Sequence, residues 1–287
     1  MAKEFIAGIS YDNETAQFAV LELQSDGIAL HHLEEFQKSG NSEIWFLRPL
    51  TDKKNVSGGV ITKAALTLDH RVVFLHQLPL DSSLTQPEQN QHVQWELSNY
   101  IEHFKPKEYI TDIHVLRTQA KEQVLDILSV SVKRSHVFNI QQALDDHKID
   151  LALVETNYFG AHHALLIVHP EVRSKPTALA GISKDRMDVG IITNGRLTKY
   201  HYVLTSSADE VVSQLTDHLK ANNVSDLYLY GTQVSFELTK SVRASGLNSN
   251  LLNPFRKIHV SPSFRGFDKF IGQEHRFASC IGAVLRK

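Results

Sequence analysis

Disulfide chemistry is the first thing this sequence lacks. The 287-residue chain holds one cysteine, Cys280, so no internal disulfide framework can form and a reducing compartment is expected. No apolar run is long enough to span a bilayer, which excludes a transmembrane helix. The start, Met1 to Glu4, runs straight into a strand-like stretch without the apolar segment of a secretory signal. A cytoplasmic protein is expected. A one-sided charge is missing too: the formal net charge of -2 gives no general attraction to nucleic acid or to an anionic membrane.

Metal and hydrolase patterns are also absent. There are 16 histidines, yet there is no H-E-x-x-H, and no cysteine pairs accompany them. The adjacent pairs His31-His32 and His162-His163 would point apart on a strand and diverge on a helix, so they are read as ordinary surface or core histidines. No metal site is expected. No G-x-S-x-G elbow supports Ser/His/Asp hydrolysis. What remains is an ordinary globular composition, 42% hydrophobic and 22% charged, with length for two domains.

What is present is a repeat. Ala7-Gly8-Ile9-Ser10 returns as Ala180-Gly181-Ile182-Ser183. Each copy is followed by a short polar turn, a strand-like run and a glycine turn, Ser25-Asp26-Gly27 in the first case and Asn194-Gly195 in the second. Asp-Gly and Asn-Gly favour type I′ hairpins, which need positive φ at both central residues. Two matching β-meanders, each opening one half of the chain, predict two similar halves.

Between the meanders, Ile44-Trp45-Phe46-Leu47 is an apolar island, read as a short strand in preference to an exposed anchor. Strands are predicted at 60–68 and 71–78. A helix with Pro87 in its first turn carries Val93, Leu97, Tyr100, Ile101 and Phe104 at helical spacing until Pro106. Further strands are predicted at 109–116, 123–132 and 149–154. Ser135 is expected to cap one helix, and residues 157–168 form another. After the second meander, Ser207 and Glu210 predict a capping box, 226–230 a strand and 233–244 a helix. A short strand at 251–255, a loop-rich stretch and a closing helix of small residues over 274–286 complete the chain. Mixed strands and crossover helices imply an α/β fold, with two units facing across a cleft.

Three segments in order resemble one family. Leu78-Pro79 is followed by Val93-Gln94-Trp95-Glu96, Tyr100-Ile101 and later Asp112. His169-Pro170-Glu171 leads through Ala178-Leu179 to Asn194-Gly195-Arg196-Leu197. Leu252-Asn253-Pro254-Phe255 precedes the terminal Ile281-Gly282-Ala283-Val284-Leu285-Arg286. Together they resemble the actin-like ATPase superfamily, and within it the PilM type of type IV pilus assembly proteins, related to FtsA. The resemblance implies duplicated ribonuclease-H-like halves, residues 1–170 and 171–287. It also implies an inserted 1C-type subdomain at about 58–156. Only residues 204–226 stand where the family has subdomain 2B, so that subdomain is expected to be missing.

The resemblance also implies two phosphate hairpins with an Asp-x-Gly-type signature. Here they read Gly8-Ile9-Ser10 and Gly181-Ile182-Ser183, with Asp12 and Asp185 displaced into the turns, where Asp is a common turn former. A degenerate nucleotide site would draw on Ser10, Asp12, Asn13, Ser183, Lys184, Asp185, Gly231 and Thr232. Thr15 could join them, and Asp12 with Asp185 could hold Mg²⁺. Glu155 is a candidate for positioning water. The expected function is a non-catalytic cytoplasmic scaffold without a cofactor, with an ATP-binding protein using an atypical phosphate site and Mg²⁺ as the alternative. The implied partner is the cytoplasmic peptide of a membrane-anchored, PilN-like assembly protein. It would bring the chain to the inner membrane without inserting it. Val73, Leu75, Trp95 and Tyr100 are candidates for the peptide groove, though Trp95 and Tyr100, taken singly, read in preference as core residues of the inserted unit. Nucleic acid is not expected as a partner. A ribonuclease-H-like nuclease would need converging carboxylates where these strands carry Gly and Ser.

Overall fold

The computed structural model describes residues 3–25, 27–52, 55–56, 58–119 and 121–286. In chain order the first half contains β1 (Lys3–Tyr11), β2 (Thr15–Leu23), β3 (Ile28–Gln37), α1 (Arg48–Asp52), β4 (Asn55–Val56) and β5 (Gly59–Leu68). It continues with β6 (Val73–Asp81), α2 (Gln86–Tyr100), β7 (Tyr109–Gln119), β8 (Val124–Lys133), α3 (Arg134–Asp145), β9 (Asp150–Thr156) and α4 (Asn157–Val168). The second half has β10 (Thr177–Ile182), β11 (Arg186–Thr193), β12 (Arg196–Leu204), α5 (Ala208–Ala221) and β13 (Asp226–Tyr230). It ends with α6 (Phe236–Ala244), β14 (Asn248–Leu251), β15 (His259–Val260) and α7 (Ala278–Leu285).

The two halves share one topology. In the first, β1 pairs antiparallel with β2 and parallel with β5, and β5 pairs parallel with β9. In the second, β10 pairs antiparallel with β11 and parallel with β13, and β13 pairs parallel with β14. The sheet orders β3-β2-β1-β5-β9 and β12-β11-β10-β13-β14 therefore match strand for strand. The repeated tetrapeptide lies at the end of the central strand of each half. A three-stranded sheet, β6-β8-β7, is inserted between β5 and β9, with Val93 and Leu97 of α2 buried on it. Among the described residues, α5 is the one helix between β12 and β13. None of the described helices is long and apolar enough to cross a membrane.

Local signals place many elements well. Helix α4 runs from Asn157 to Val168 and strand β13 from Asp226 to Tyr230, as their patterns predict. Asn194 and Gly195 have φ of 53° and 74°, the left-handed pair that a type I′ turn requires. Of the matching first-half turn, Asp26 lies outside the described residues.

Other expectations are corrected by long-range contacts. The Trp45 island is a 3₁₀ turn running into α1 and not a strand. It is buried because Phe46 stacks on Tyr11 at 3.8 Å and Trp45 meets Phe36 edge-on. Lys133, not Ser135, precedes the first turn of α3, because β8 runs into that helix without a loop. Ser207 accepts from the Glu210 amide, but the Glu210 carboxylate turns to the amide and hydroxyl of Ser206, so the box is displaced by one residue. Helix α6 starts at Phe236 under a Ser235 cap, since the Gln233 amide is held by Ile182 O. The strand expected at 251–255 lies instead at Asn248–Leu251, where pairing with β13 sets its register.

Helices α4 and α7 form the seam between the halves. A Cβ on Gly282 would overlap the Gly160 carbonyl, and one on Gly8 would overlap the Cys280 carbonyl. Small residues are thus needed where α7 meets α4 on one side and β1 on the other. The Cys280 thiol is fully buried in that seam, and burial pushes its pKa up to about 12. Gly282→Ala is expected to destabilise the fold by roughly 3 kcal/mol or more, the upper range of overpacking, because backbone and not a side-chain tip must move. Urea denaturation of the variant checks this. The exposed Gly40→Ala control tests only strain at positive φ.

Candidate functional site

The C-terminal ends of the two central strands converge on one cleft. In the β1–β2 hairpin, Asp12 Oδ1 accepts from the amides of Glu14 and Thr15, both at 2.8 Å. Its Oδ2 accepts from the Thr15 hydroxyl at 3.0 Å and from the Thr232 hydroxyl at 3.2 Å. The carboxylate thus closes its own turn and reaches across to the other half. Thr232 follows Gly231, whose φ of 111° and contact with Ile182 backbone leave no room for a Cβ.

The β10–β11 hairpin faces it. The Ser183 amide and hydroxyl both donate to Arg186 O at 2.9 Å. Lys184 pairs with Glu14 of the first hairpin. Asp185 accepts from Arg71 at 3.0 Å, with His70 at 3.7 Å. Ser10 donates to Gln17 at 3.0 Å inside the first sheet. The structure therefore brings Ser10, Asp12, Ser183, Lys184, Asp185, Gly231 and Thr232 to one place, with Asn13 exposed on the outer rim. Most of their polar groups are already committed to each other.

Behind these cross-cleft ties lies a buried cluster that the motifs did not single out. Arg186 donates to Asp188 through Nε at 2.9 Å and through a terminal nitrogen at 2.6 Å. Tyr200 donates to the same Asp188 oxygen and accepts from Arg186 at 3.1 Å. Tyr230 lies on Gly181, and the Tyr158 hydroxyl lies on Gly190, each filling the space of a Cβ. About 70 Å³ of the cleft stays open, against several hundred for pockets that enclose a drug-sized ligand. The available signal was the alternation Arg186-Met187-Asp188, which sets two opposite charges on one face of a strand with an apolar residue between them.

Glu155 is not part of the cleft lining. It is buried beneath the seam, accepts from Arg286 at 2.9 Å and lies 3.7 Å from His163. Burial raises its pKa to about 7, against the opposing pull of Arg286. Burial also lowers His162 and His163 to about 4, helped for His162 by His163 and for His163 by Arg286.

Trp95 and Tyr100 are not core residues: they are 61% and 59% exposed. Nor do the four groove candidates meet. Val73 and Leu75 point into the cleft side of β6, whereas Tyr100 sits at 4.4 Å from His76 on the opposite face and Trp95 lies further along α2 beside His92. An adjoining groove of about 700 Å³, sharing Tyr11, Asp12 and Val73 with the cleft, runs between the first hairpin, β6 and α3. Its lining includes Trp45, Val73, Phe74 and Ile101, with Lys133 and Asn139 exposed at the edge. The Tyr11 hydroxyl and His136 join at 3.0 Å across it.

Two halves of identical strand order, a cleft between their hairpins and an inserted three-stranded unit define the actin-like ATPase fold. Superposition on solved structures gives the same class. A chain of the PilM-PilN type IV pilus biogenesis complex matches with a TM-score of 0.74 over 98% of both chains at 14% identity. A protein from Bacteroides thetaiotaomicron with the actin-like ATPase fold and unknown function matches at 0.54, with 14% identity over 93% of this chain and 95% of that one. The cytoplasmic domain of EpsL, an inner-membrane component of the type II secretion system of Vibrio cholerae, matches at 0.50, with 11% identity over 94% of each. No protein-family model and no curated protein matches the sequence. The fold is that of the actin-like ATPases, in the form resembling PilM.

Asp188→Ala should cost roughly 3–5 kcal/mol by chemical denaturation, because it strands the buried Arg186 charge. Lys184→Ala should cost less than about 1 kcal/mol, since that pair is exposed. The pH dependence has a definite sign. His162 and His163 stabilise the fold above their ordinary value of 6.5, and that contribution is lost as pH falls toward 4. Glu155 acts in the opposite sense, its contribution being lost as pH rises from 4.5 through 7. Thermal melts should therefore show stability declining from pH 6.5 to 4.5, and declining more steeply in Glu155→Gln.

Proposed function

We propose that this protein is a non-catalytic, PilM-like cytoplasmic scaffold that binds the peptide tail of a membrane-anchored pilus or secretion assembly protein. The observation that carries the first part is the direct bridging of the two hairpins. Asp12 to Thr232, Lys184 to Glu14 and Asp185 to Arg71 tie the halves together at the place where an actin-like nucleotide site would put phosphate. Arg186 is neutralised by Asp188 behind them. A triphosphate entering this cleft would have to break those pairs and displace the aromatic rings, leaving Glu14 and Asp185 as unpaired carboxylates beside its own negative charge. With α5 alone between β12 and β13, an adenosine would also lack one wall.

The groove beside the first hairpin supports the second part. It is about 700 Å³ in volume and partly apolar, and it opens between the first sheet and the inserted unit. The likeness to a chain from the PilM-PilN complex supports a peptide as its occupant. Its mixture of apolar residues, such as Trp45 and Ile101, with polar ones suits an extended segment that buries alternate side chains.

The two parts are tested separately. Millimolar ATP with Mg²⁺ is expected to leave the melting temperature unchanged, whereas a ligand at a hundred times its Kd would add about 2.7 kcal/mol. A shift abolished by Asp12→Ala with Asp185→Ala would restore the nucleotide reading. For the groove, titration calorimetry against cytoplasmic tails of inner-membrane pilus and secretion proteins should find a binder. Asn139→Trp at the exposed edge should weaken that binder by at least about tenfold, or 1.4 kcal/mol. Trp95→Ala, outside the groove, should leave it unchanged.

A further inference from the structure

The segment from Arg256 to Gln273 runs beside the β3 edge of the first sheet, packed on the same core cluster as α7, and lines neither the cleft nor the groove. Its inward residues are aromatic. Phe267 meets Phe255 edge-on at 5.3 Å, Phe270 meets Phe277 at 5.1 Å, and Phe264 lies 5.8 Å from His32. These rings pack on the same core cluster as α7, so the loop is pinned from below. Residues His259 and Val260 add a short parallel pairing to β3 at the sheet edge. Gly266 and Gly272, at φ of 121° and 83°, turn the chain at either end of the 3₁₀ segment Phe267–Phe270.

What this pinning leaves outside is cationic. In a chain of net charge -2, this stretch carries Arg256, Lys257, Arg265 and Lys269 against the single acid Asp268. All four cations are exposed. Arg256 donates to His169, while no ion pair among the described residues engages Lys257, Arg265 or Lys269. Beside Lys269 stands Ile271, 63% exposed, a large aliphatic side chain with no structural reason to face water. Unpaired cations and an exposed aliphatic side chain carried on one segment match the interfacial region of a bilayer: the charges meet lipid phosphates while the apolar side chain enters the acyl boundary.

We propose that the Arg256–Gln273 loop is a direct contact surface for an anionic lipid bilayer, read electrostatically by Lys257, Arg265 and Lys269 with Ile271 inserted. The surface shares no residue with the peptide groove and does not depend on a peptide partner. Three cations and one aliphatic residue give reversible binding that is sensitive to salt, not an anchor.

The test is co-sedimentation of the purified full chain, without any peptide, with vesicles of phosphatidylcholine alone or mixed with phosphatidylglycerol, at low and at physiological salt. The chain should sediment with the anionic vesicles at low salt and remain in solution with the neutral ones. The triple variant Lys257→Glu, Arg265→Glu, Lys269→Glu should lose at least roughly a hundredfold in partition, about fivefold for each cation removed, with repulsion of the added carboxylates on top. Ile271→Ser alone should lose a few-fold, and melting temperatures should show both variants folded. Should the triple variant not fold, Lys269→Gln and Ile271→Ser singly carry the same test. The proposal is overturned if the wild type stays in solution with anionic vesicles at low salt, or if the variants sediment as the wild type does. It is equally overturned if the chain ignores vesicles but binds a polyglutamate peptide through the same residues, which would assign the patch to an acidic protein.

Discussion

Backbone meets backbone where α4 crosses α7. Gly160 and Gly282 permit that approach, and Gly8 permits the same helix to lie on β1. The consequence reaches the cleft: the start of α4 supplies Tyr158, the start of α7 supplies Ser279, and both line the space between the hairpins. Ser279 also donates to Asn157 O at 2.8 Å, and the Asn157 amide donates to Tyr11 O at 3.1 Å. The two halves are thus set at a fixed separation by contacts that tolerate no added methyl group, and the cleft inherits that separation.

Within the cleft, magnitude and location separate two kinds of tie. The Lys184–Glu14 pair is more than half exposed at both ends, so its share of stability is small and falls with salt. The Arg186–Asp188–Tyr200 cluster is buried, so breaking it leaves a charge without water or partner. The outer pairs close the mouth of the cleft and the inner cluster fills its depth. The same four residues, Ala-Gly-Ile-Ser, serve both halves differently: Gly8 admits a helix backbone and Gly181 admits the ring of Tyr230. An identical local sequence thus ends in unlike surroundings, and neither copy presents a free phosphate cradle.

The fold was legible wherever pattern is local. Asn194-Gly195 specifies a hairpin because two consecutive left-handed residues are needed and only a few residue types accept them. Helix α4 is apolar around its whole circumference, which marks it as interior. The site was legible as a set of positions but not as chemistry. Lys184 meets Glu14 across 170 residues, and Thr232 meets Asp12 across 220, so no window along the chain contains either pair. Trp45 misled because apolar runs of four residues suit strand and helix alike, and Phe46 stacking on Tyr11 chose between them. Trp95 misled because the general tendency of tryptophan toward burial says nothing of which face of α2 the inserted sheet covers.

By itself the sequence determined the α/β class, the duplicated meanders and the single helix between β12 and β13. These depend on residue type, order and spacing, which a chain carries before it folds. Only the tertiary structure decided that the hairpins are tied to each other, that Arg186 is neutralised within the cleft, and that the open groove lies beside the first hairpin and not along Trp95. Each of these is a matter of which distant side chains come within hydrogen-bonding distance, and that is set by the close packing of α4 on α7.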